Sequence, residues 1–170
     1  MNGLLLTITG DGKGKTTSAL GTVVRAMGRG WKIAFFQFVK DQGKTGEKMF
    51  LERFPEQVIM EQFGEGFSWK DKDHVSAAEA GWEKVKPYLS GEKKCDLLVL
   101  DELNIALHFG WLDPEKIIPQ LKNRTAELNI IVTGRYAPEA LIKISDLVSN
   151  IENIKHPFDS GIPARQGIDF

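Results

Sequence analysis

Residues Thr9-Gly10-Asp11-Gly12-Lys13-Gly14-Lys15-Thr16-Thr17 constrain this chain more than any other stretch. The apolar run Leu4–Ile8 leads into them. A helical pattern follows, with Ala19, Leu20, Val23, Val24 and Met27 spaced to share one face. Strand, glycine-rich turn and helix in that order make a phosphate-binding loop. Glycine lets backbone N–H groups curl around anionic oxygens, and the helix start adds its positive dipole end. Lys15 is placed to meet phosphate charge, and the Thr16 hydroxyl is placed to meet Mg²⁺. The usual pattern G-x-x-x-x-G-K-[ST] has a glycine where this chain has Thr9. The loop therefore predicts a nucleotide site with an altered grip on the triphosphate.

Apolar runs alternate with helical patterns along the remaining sequence. The runs are Leu4–Ile8, Ile33–Phe38, Val58–Phe63, Leu97–Leu100, Ile130–Thr133 and Leu147–Ile151. This alternation predicts an α/β fold, with a mostly parallel central sheet of about six strands and helices on both faces. At 170 residues, without repeats or linkers, residues 1–170 read as one domain. The first helix is expected to stop at Gly28 or Gly30. A second covers Val75–Leu89, with Ala78, Trp82 and Val85 on its buried face and Ser90-Gly91 at its end. Phe50, Leu51 and Phe54 suggest a short helix packed into the core. Asp113-Pro114 caps and opens another helix.

Four apolar residues and then Asp101-Glu102 form a Walker B pattern, with carboxylates emerging at the strand's carboxyl end. The adjacent acid pair points to the RecA-like branch of P-loop folds, with one strand inserted between the P-loop strand and the Walker B strand. If Ile130–Thr133 is that strand, Thr133 and Arg135 approach the phosphates from beside the loop. Arg135 then either stabilises a departing phosphate chain or pairs with a nearby acid. In parallel sheets, ligands sit at the carboxyl ends of strands, which places Gln37, Lys40 and the loop 41–48 near the site. Gly64-Glu65-Gly66-Phe67-Ser68-Trp69 sets two large aromatics in a glycine-containing loop. Phe67 and Trp69 either pack beneath that loop or cover a flat ligand. His108 reads as a packing or surface residue.

Several function classes recede. Lys and Arg number 22 against 23 Asp and Glu, so no basic excess marks a nucleic-acid binder. The single cysteine, Cys95, allows no internal disulfide and opens an apolar run as a buried thiol. No apolar stretch approaches the ~18 residues of a membrane span, and no leader pattern precedes the first strand, so the chain reads as cytoplasmic. The final stretch, His156 to Phe170, mixes turn formers with Phe158, Ile162, Ile168 and Phe170, which predicts an ordered, docked tail.

Taken together, these stretches resemble the ATP:corrinoid adenosyltransferases of the CobA/BtuR type. The matching segments are Thr9–Thr17, Arg25–Gly30, Gln37–Lys40, Gly66–Trp69, Leu100–Leu103, Thr133–Arg135, Lys155–Phe158, Gly161 and Gly167–Phe170, in family order. The resemblance implies a RecA-like homodimer that moves the 5′-deoxyadenosyl group of MgATP to cobalt of a corrinoid or cobalamin, with triphosphate leaving. It implies Mg²⁺ (or Mn²⁺) held by Thr16 and Glu102 with Asp101 close by, and a reductase that supplies the electron taking Co(II) to Co(I). Nucleotide contacts would come from Thr9 to Thr17 together with Gln37 and Lys40. Lys15, Arg135 and Glu102 would carry the chemistry, while Phe67 and Trp69 would line the corrinoid site. The competing readings are a RecA-like ATPase or small-molecule kinase, which would release ADP, and a nucleotide-binding module without catalysis.

Overall fold

The computed structural model describes residues 2–39, 45–64 and 73–169. Six strands form one sheet: β1 Leu5–Thr9, β2 Ile33–Gln37, β3 Val58–Gln62, β4 Leu97–Asp101, β5 Asn129–Thr133 and β6 Leu147–Asn150. Their order is β3-β2-β4-β5-β1-β6, and every pairing is parallel. Each predicted run is a strand, with ends shifted by at most one residue. β5 lies between the P-loop strand β1 and the Walker B strand β4, as the acid pair after β4 suggests.

Burial on both faces explains why the central strands read as unbroken apolar runs. Phe35 packs on one face and Phe36 on the other; Val99 and Leu98 divide likewise, as do Ile131 and Ile130. On the first face lie α1 (Lys15–Met27) and α2 (Gly46–Leu51). On the second lie α3 (His74–Leu89), α4 (Leu103–His108), α5 (Pro114–Lys122) and α6 (Glu139–Ile144). Ala78, Trp82 and Val85 are buried on α3 as expected. Asp113 caps α5 by accepting from the Glu115 N–H, with Pro114 in the first turn.

Three expectations need correction. On α1 the buried stripe is Ala19, Val23 and Ala26, while Val24 is 56% exposed. Of Phe50, Leu51 and Phe54, only Leu51 is core; Phe50 and Phe54 are substantially exposed, and Phe54 lies beyond the end of α2. The described part of the tail includes a 3₁₀ turn at Pro157–Ser160, but Phe158 and Ile168 are not docked by burial, being 77% and 78% exposed, and Phe170 lies outside the described residues. An ion pair between Lys13 and Asp169 ties it to the phosphate loop instead.

Cys95 sits partly buried at the start of β4, and burial pushes its thiol up to about 12. Among the described residues, no helix is long and apolar enough to cross a membrane. Leu98 is wholly buried at the sheet centre. Leu98→Ala is expected to destabilise the fold by about 2–5 kcal/mol, measured by urea denaturation. A loss below ~1 kcal/mol would mean that the surrounding core closes over the gap.

Candidate functional site

The loop between β1 and α1 owes its shape to close backbone packing. At Gly10, whose φ is +101°, an added Cβ would come within 2.3 Å of the Ile151 carbonyl oxygen. At Gly12 it would come within 2.5 Å of the Glu152 carbonyl oxygen, and the Gly12 N–H donates to the Ile151 carbonyl. These two glycines therefore answer the chain that follows β6. Gly14 caps α1 in a left-handed conformation (φ +113°) with open space around it. The first turn of α1 has no acidic side chain, which leaves its N–H groups to an anion from outside.

Thr9 stands where a glycine is usual because it is still part of β1, paired level with Asn150. Its hydroxyl accepts from the Ala137 N–H at 3.3 Å, joining the loop after β5 to the P-loop.

Lys15 is 7% exposed, and its ammonium donates to the carbonyls of Gly10 (2.8 Å) and Gly12 (2.6 Å). Burial lowers its pKa; Glu102 opposes that shift and Arg135 adds to it. The lysine is thus pre-positioned inside the loop, in electrostatic contact with the two groups expected to share its task. Arg135 follows β5, is exposed, and donates from Nη2 to the Asp11 carbonyl at 3.1 Å. Of the two readings left open for Arg135, its position across the mouth of the loop fits phosphate contact.

Asp101 and Glu102 separate into different places. Asp101 is wholly buried, accepting from Gln37 Nε2 at 2.9 Å and from Thr133 Oγ1 at 2.7 Å. Glu102 turns into a left-handed conformation (φ +60°) and lines the cleft. The Thr133 oxygen, having donated to Asp101, accepts from the Glu102 N–H at 3.0 Å. Gly134 makes room for Glu102, since a Cβ there would come 3.1 Å from Glu102 Oε2. Asn104 Nδ2 fixes Gly134 through its carbonyl at 3.0 Å. Gln37 is wholly buried, so it acts on the site from behind Asp101 and not from the cleft wall.

Gly12, Lys13, Gly14, Lys15, Thr16 and Thr17 line one side of a cleft of about 840 Å³, with Glu102 and Arg135 beside them. An apolar wall that sequence patterning did not mark also lines this cleft. Leu20 and Val24 of α1, Phe50 of α2, Phe109 and Tyr136 all contribute. Tyr136 stacks on His108 with centroids 4.2 Å apart, and Phe109 stacks on Trp111. Tyr136 has φ +62°, a conformation that a bulky residue adopts at a cost. Leu20, Val24 and Phe50 read from the sequence as helix-face or core residues, so periodicity gave no separate signal for this wall. Asp169 and Ile168 of the tail border the cleft as well. Lys40, Phe67 and Trp69 lie outside the described residues.

A divalent cation fits this donor set. The Thr16 hydroxyl and Glu102 carboxylate are hard oxygen donors on one cleft, suited to Mg²⁺ that keeps substrate phosphates and waters as its other ligands. Among the described residues, no group of three or more His, Cys, Asp or Glu side chains could hold a metal ion.

Residues 1–170 match the family described as ATP:corrinoid adenosyltransferase BtuR/CobO/CobP. A corrinoid adenosyltransferase of Pseudomonas aeruginosa is 42% identical, over 99% of this chain and 84% of its own length. The corrinoid adenosyltransferase CobA of Salmonella typhimurium is 35% identical, over 99% and 86%. In fold, the chain is similar to the KaiC-like protein PH0186 of Pyrococcus horikoshii, with a TM-score of 0.53 at 15% identity over 91% of this chain and 75% of that one.

Restoring the usual glycine tests the role given to Thr9. Thr9→Gly removes the hydroxyl that accepts from Ala137 and loosens β1. It is expected to lower stability by about 1 kcal/mol in chemical denaturation. A neutral or stabilising result would show that Thr9 merely tolerates its position.

Proposed function

The chain belongs to the ATP:corrinoid adenosyltransferase family, whose reaction moves the adenosyl group of ATP onto a corrinoid, and on that premise we propose how its own residues divide the work. The cleft holds the triphosphate of ATP against Gly12 to Thr17. Reduced cobalt of the corrinoid substrate attacks the 5′ carbon, a cobalt–carbon bond forms, and the C5′–O bond breaks. Its electron pair leaves on triphosphate. The nucleophile arrives with the substrate, so the protein needs no activated serine or cysteine. Its work is to place the 5′ carbon and to stabilise the departing polyanion.

The observation that carries this reading is the meeting of Lys15, Glu102 and Arg135 on one cleft that also has an apolar wall. Lys15 is held by two loop carbonyls, which keeps its charge at the phosphate loop. Arg135 approaches the same anion from the Asp11 side. The loop amides and the α1 dipole complete the cradle. Thr16 and Glu102 would hold Mg²⁺, which supplies charge neutralisation on the phosphate oxygens when bound. Asp101 keeps Glu102 in place from behind.

The apolar wall suits the nucleoside and the corrinoid ring better than it suits a small phosphate acceptor. Phe67 and Trp69 belong to the segment just before α3. His74 at the start of α3 stacks on Trp111, which stacks on the wall residue Phe109. Family membership supports the corrinoid-side role given to Phe67 and Trp69. Family membership likewise supports a cytoplasmic homodimer, Mg²⁺ or Mn²⁺ as the metal, and a reductase as electron donor. A kinase or RecA-like ATPase would cleave between phosphates instead, and the family does not favour that outcome.

ATP incubated anaerobically with chemically reduced cobalamin is expected to yield triphosphate and an adenosylated corrinoid, read by phosphorus NMR and by the visible spectrum. Release of ADP, or no turnover, would overturn the reading. Lys15→Ala is expected to lower kcat/KM by at least ~100-fold, comparable to loss of a transition-state donor, with folding monitored by circular dichroism. Turnover within a few fold of the parent would remove Lys15 from the mechanism.

A further inference from the structure

A line of polar side chains crosses the sheet just behind the cleft, level with the carboxyl ends of the strands. Strand register sets it up: Gln62 of β3 lies beside Gln37 of β2, and Gln37 lies beside Asp101 of β4. Lys48 Nζ, on α2, donates to Gln62 Oε1 at 2.9 Å. Gln62 Nε2 donates to Gln37 Oε1 at 2.8 Å, and Gln37 Nε2 donates to Asp101 Oδ2 at 2.9 Å. On the other side, Thr133 donates to Asp101 Oδ1 and accepts from the Glu102 N–H.

The direction of this chain is fixed by chemistry. Lysine ammonium can only donate, so Gln62 must present its oxygen to Lys48 and its amide to Gln37. Gln37 must in turn present its amide to Asp101. Asp101, accepting from both sides, leaves Thr133 no proton for anything else, so the Thr133 oxygen is left to accept from Glu102. The Lys48 ammonium at α2 and the Asp101 carboxylate thus fix the same direction from the two ends of a chain that finishes on the backbone N–H of the cleft residue Glu102. Gln37, Gln62, Asp101 and Thr133 are all buried, where each hydrogen bond counts for more and a reversed amide would set two oxygens against each other.

We propose that Lys48, Gln62 and Gln37 are positioning residues, acting through Asp101 and Thr133 to hold Glu102 at the orientation in which it receives a divalent cation with ATP. This rests on the reading of Glu102 as a metal-facing carboxylate. It also gives α2 a second part beside the wall residue Phe50: the wall is fastened to the metal-binding end of the sheet by Lys48. Partners behind a metal ligand commonly change affinity by ~10–100-fold when removed.

Gln62→Glu tests the direction of the chain while keeping its shape, because the new side chain can still accept from Lys48 but cannot donate to Gln37. Lys48→Met, at the partly exposed end, is the companion should Gln62→Glu fail to fold. Mn²⁺ affinity is measured by electron paramagnetic resonance at saturating ATP without corrinoid, for the parent, each variant, Glu102→Gln and each double variant. Gln62→Glu is expected to weaken Mn²⁺ by about tenfold and Lys48→Met to weaken it in the same direction, with neither adding to the loss in Glu102→Gln. Unchanged affinity in Gln62→Glu and Lys48→Met alongside a clear loss in Glu102→Gln would overturn the positioning role alone. So would losses that add fully to that of Glu102→Gln, which would mark general damage. Unchanged affinity in Glu102→Gln would overturn the reading of Glu102 on which the proposal stands.

Discussion

The hydrogen bond from Thr133 to the buried carboxylate of Asp101 is the contact on which the rest of the site depends. It joins the carboxyl ends of β4 and β5, and it decides which way the next residue faces. With the Thr133 proton committed to Asp101, its oxygen takes the Glu102 N–H, and Glu102 enters the left-handed region that turns it into the cleft. A buried carboxylate is costly unless satisfied, and here both oxygens are. Two adjacent acids are thereby placed differently: one is a fixed acceptor inside the protein, and the other lines the cleft.

The inserted strand makes this division possible. Were β4 adjacent to β1, Asp101 would stand next to the phosphate loop. Instead β5 intervenes and supplies Thr133, Gly134 and Arg135 in sequence. The first orients Glu102, the second makes space for its carboxylate, and the third reaches across to the P-loop carbonyl of Asp11. Three consecutive residues thus serve three different atoms, because a strand end releases them in different directions.

Most of this architecture was legible in the sequence. Buried parallel strands announce themselves as apolar runs, and the P-loop and the Asp-Glu pair mark two strand ends without any need for tertiary information. Less legible were residues whose meaning depends on neighbours brought together by register. Gln62 looks like an ordinary polar strand end until β3 pairs with β2 and sets it beside Gln37. Val24 and Phe50 look like core residues, because hydrophobic periodicity does not distinguish an interior from an apolar cleft wall. The tail misled in the same way. Its aromatic and aliphatic residues suggested docking by burial, whereas Lys13 and Asp169 make the visible attachment through charge. Gln37 was expected among the ligand contacts because it ends a strand on the correct side; its inward-facing side chain places it one layer back.

The tight fit of Gly10 and Gly12 against residues 150–152 bears on the order in which the molecule can assemble. The phosphate loop occupies the first tenth of the chain, yet its backbone rests on carbonyls some 140 residues later. During synthesis, the loop leaves the ribosome long before the segment that braces it. Until β6 arrives alongside β1, the glycines have no template, and the curled arrangement of amides has little reason to persist over the many other conformations that glycine allows. The fit of the phosphate loop is therefore completed only when β6 pairs with β1 and sets residues 150–152 against its glycines.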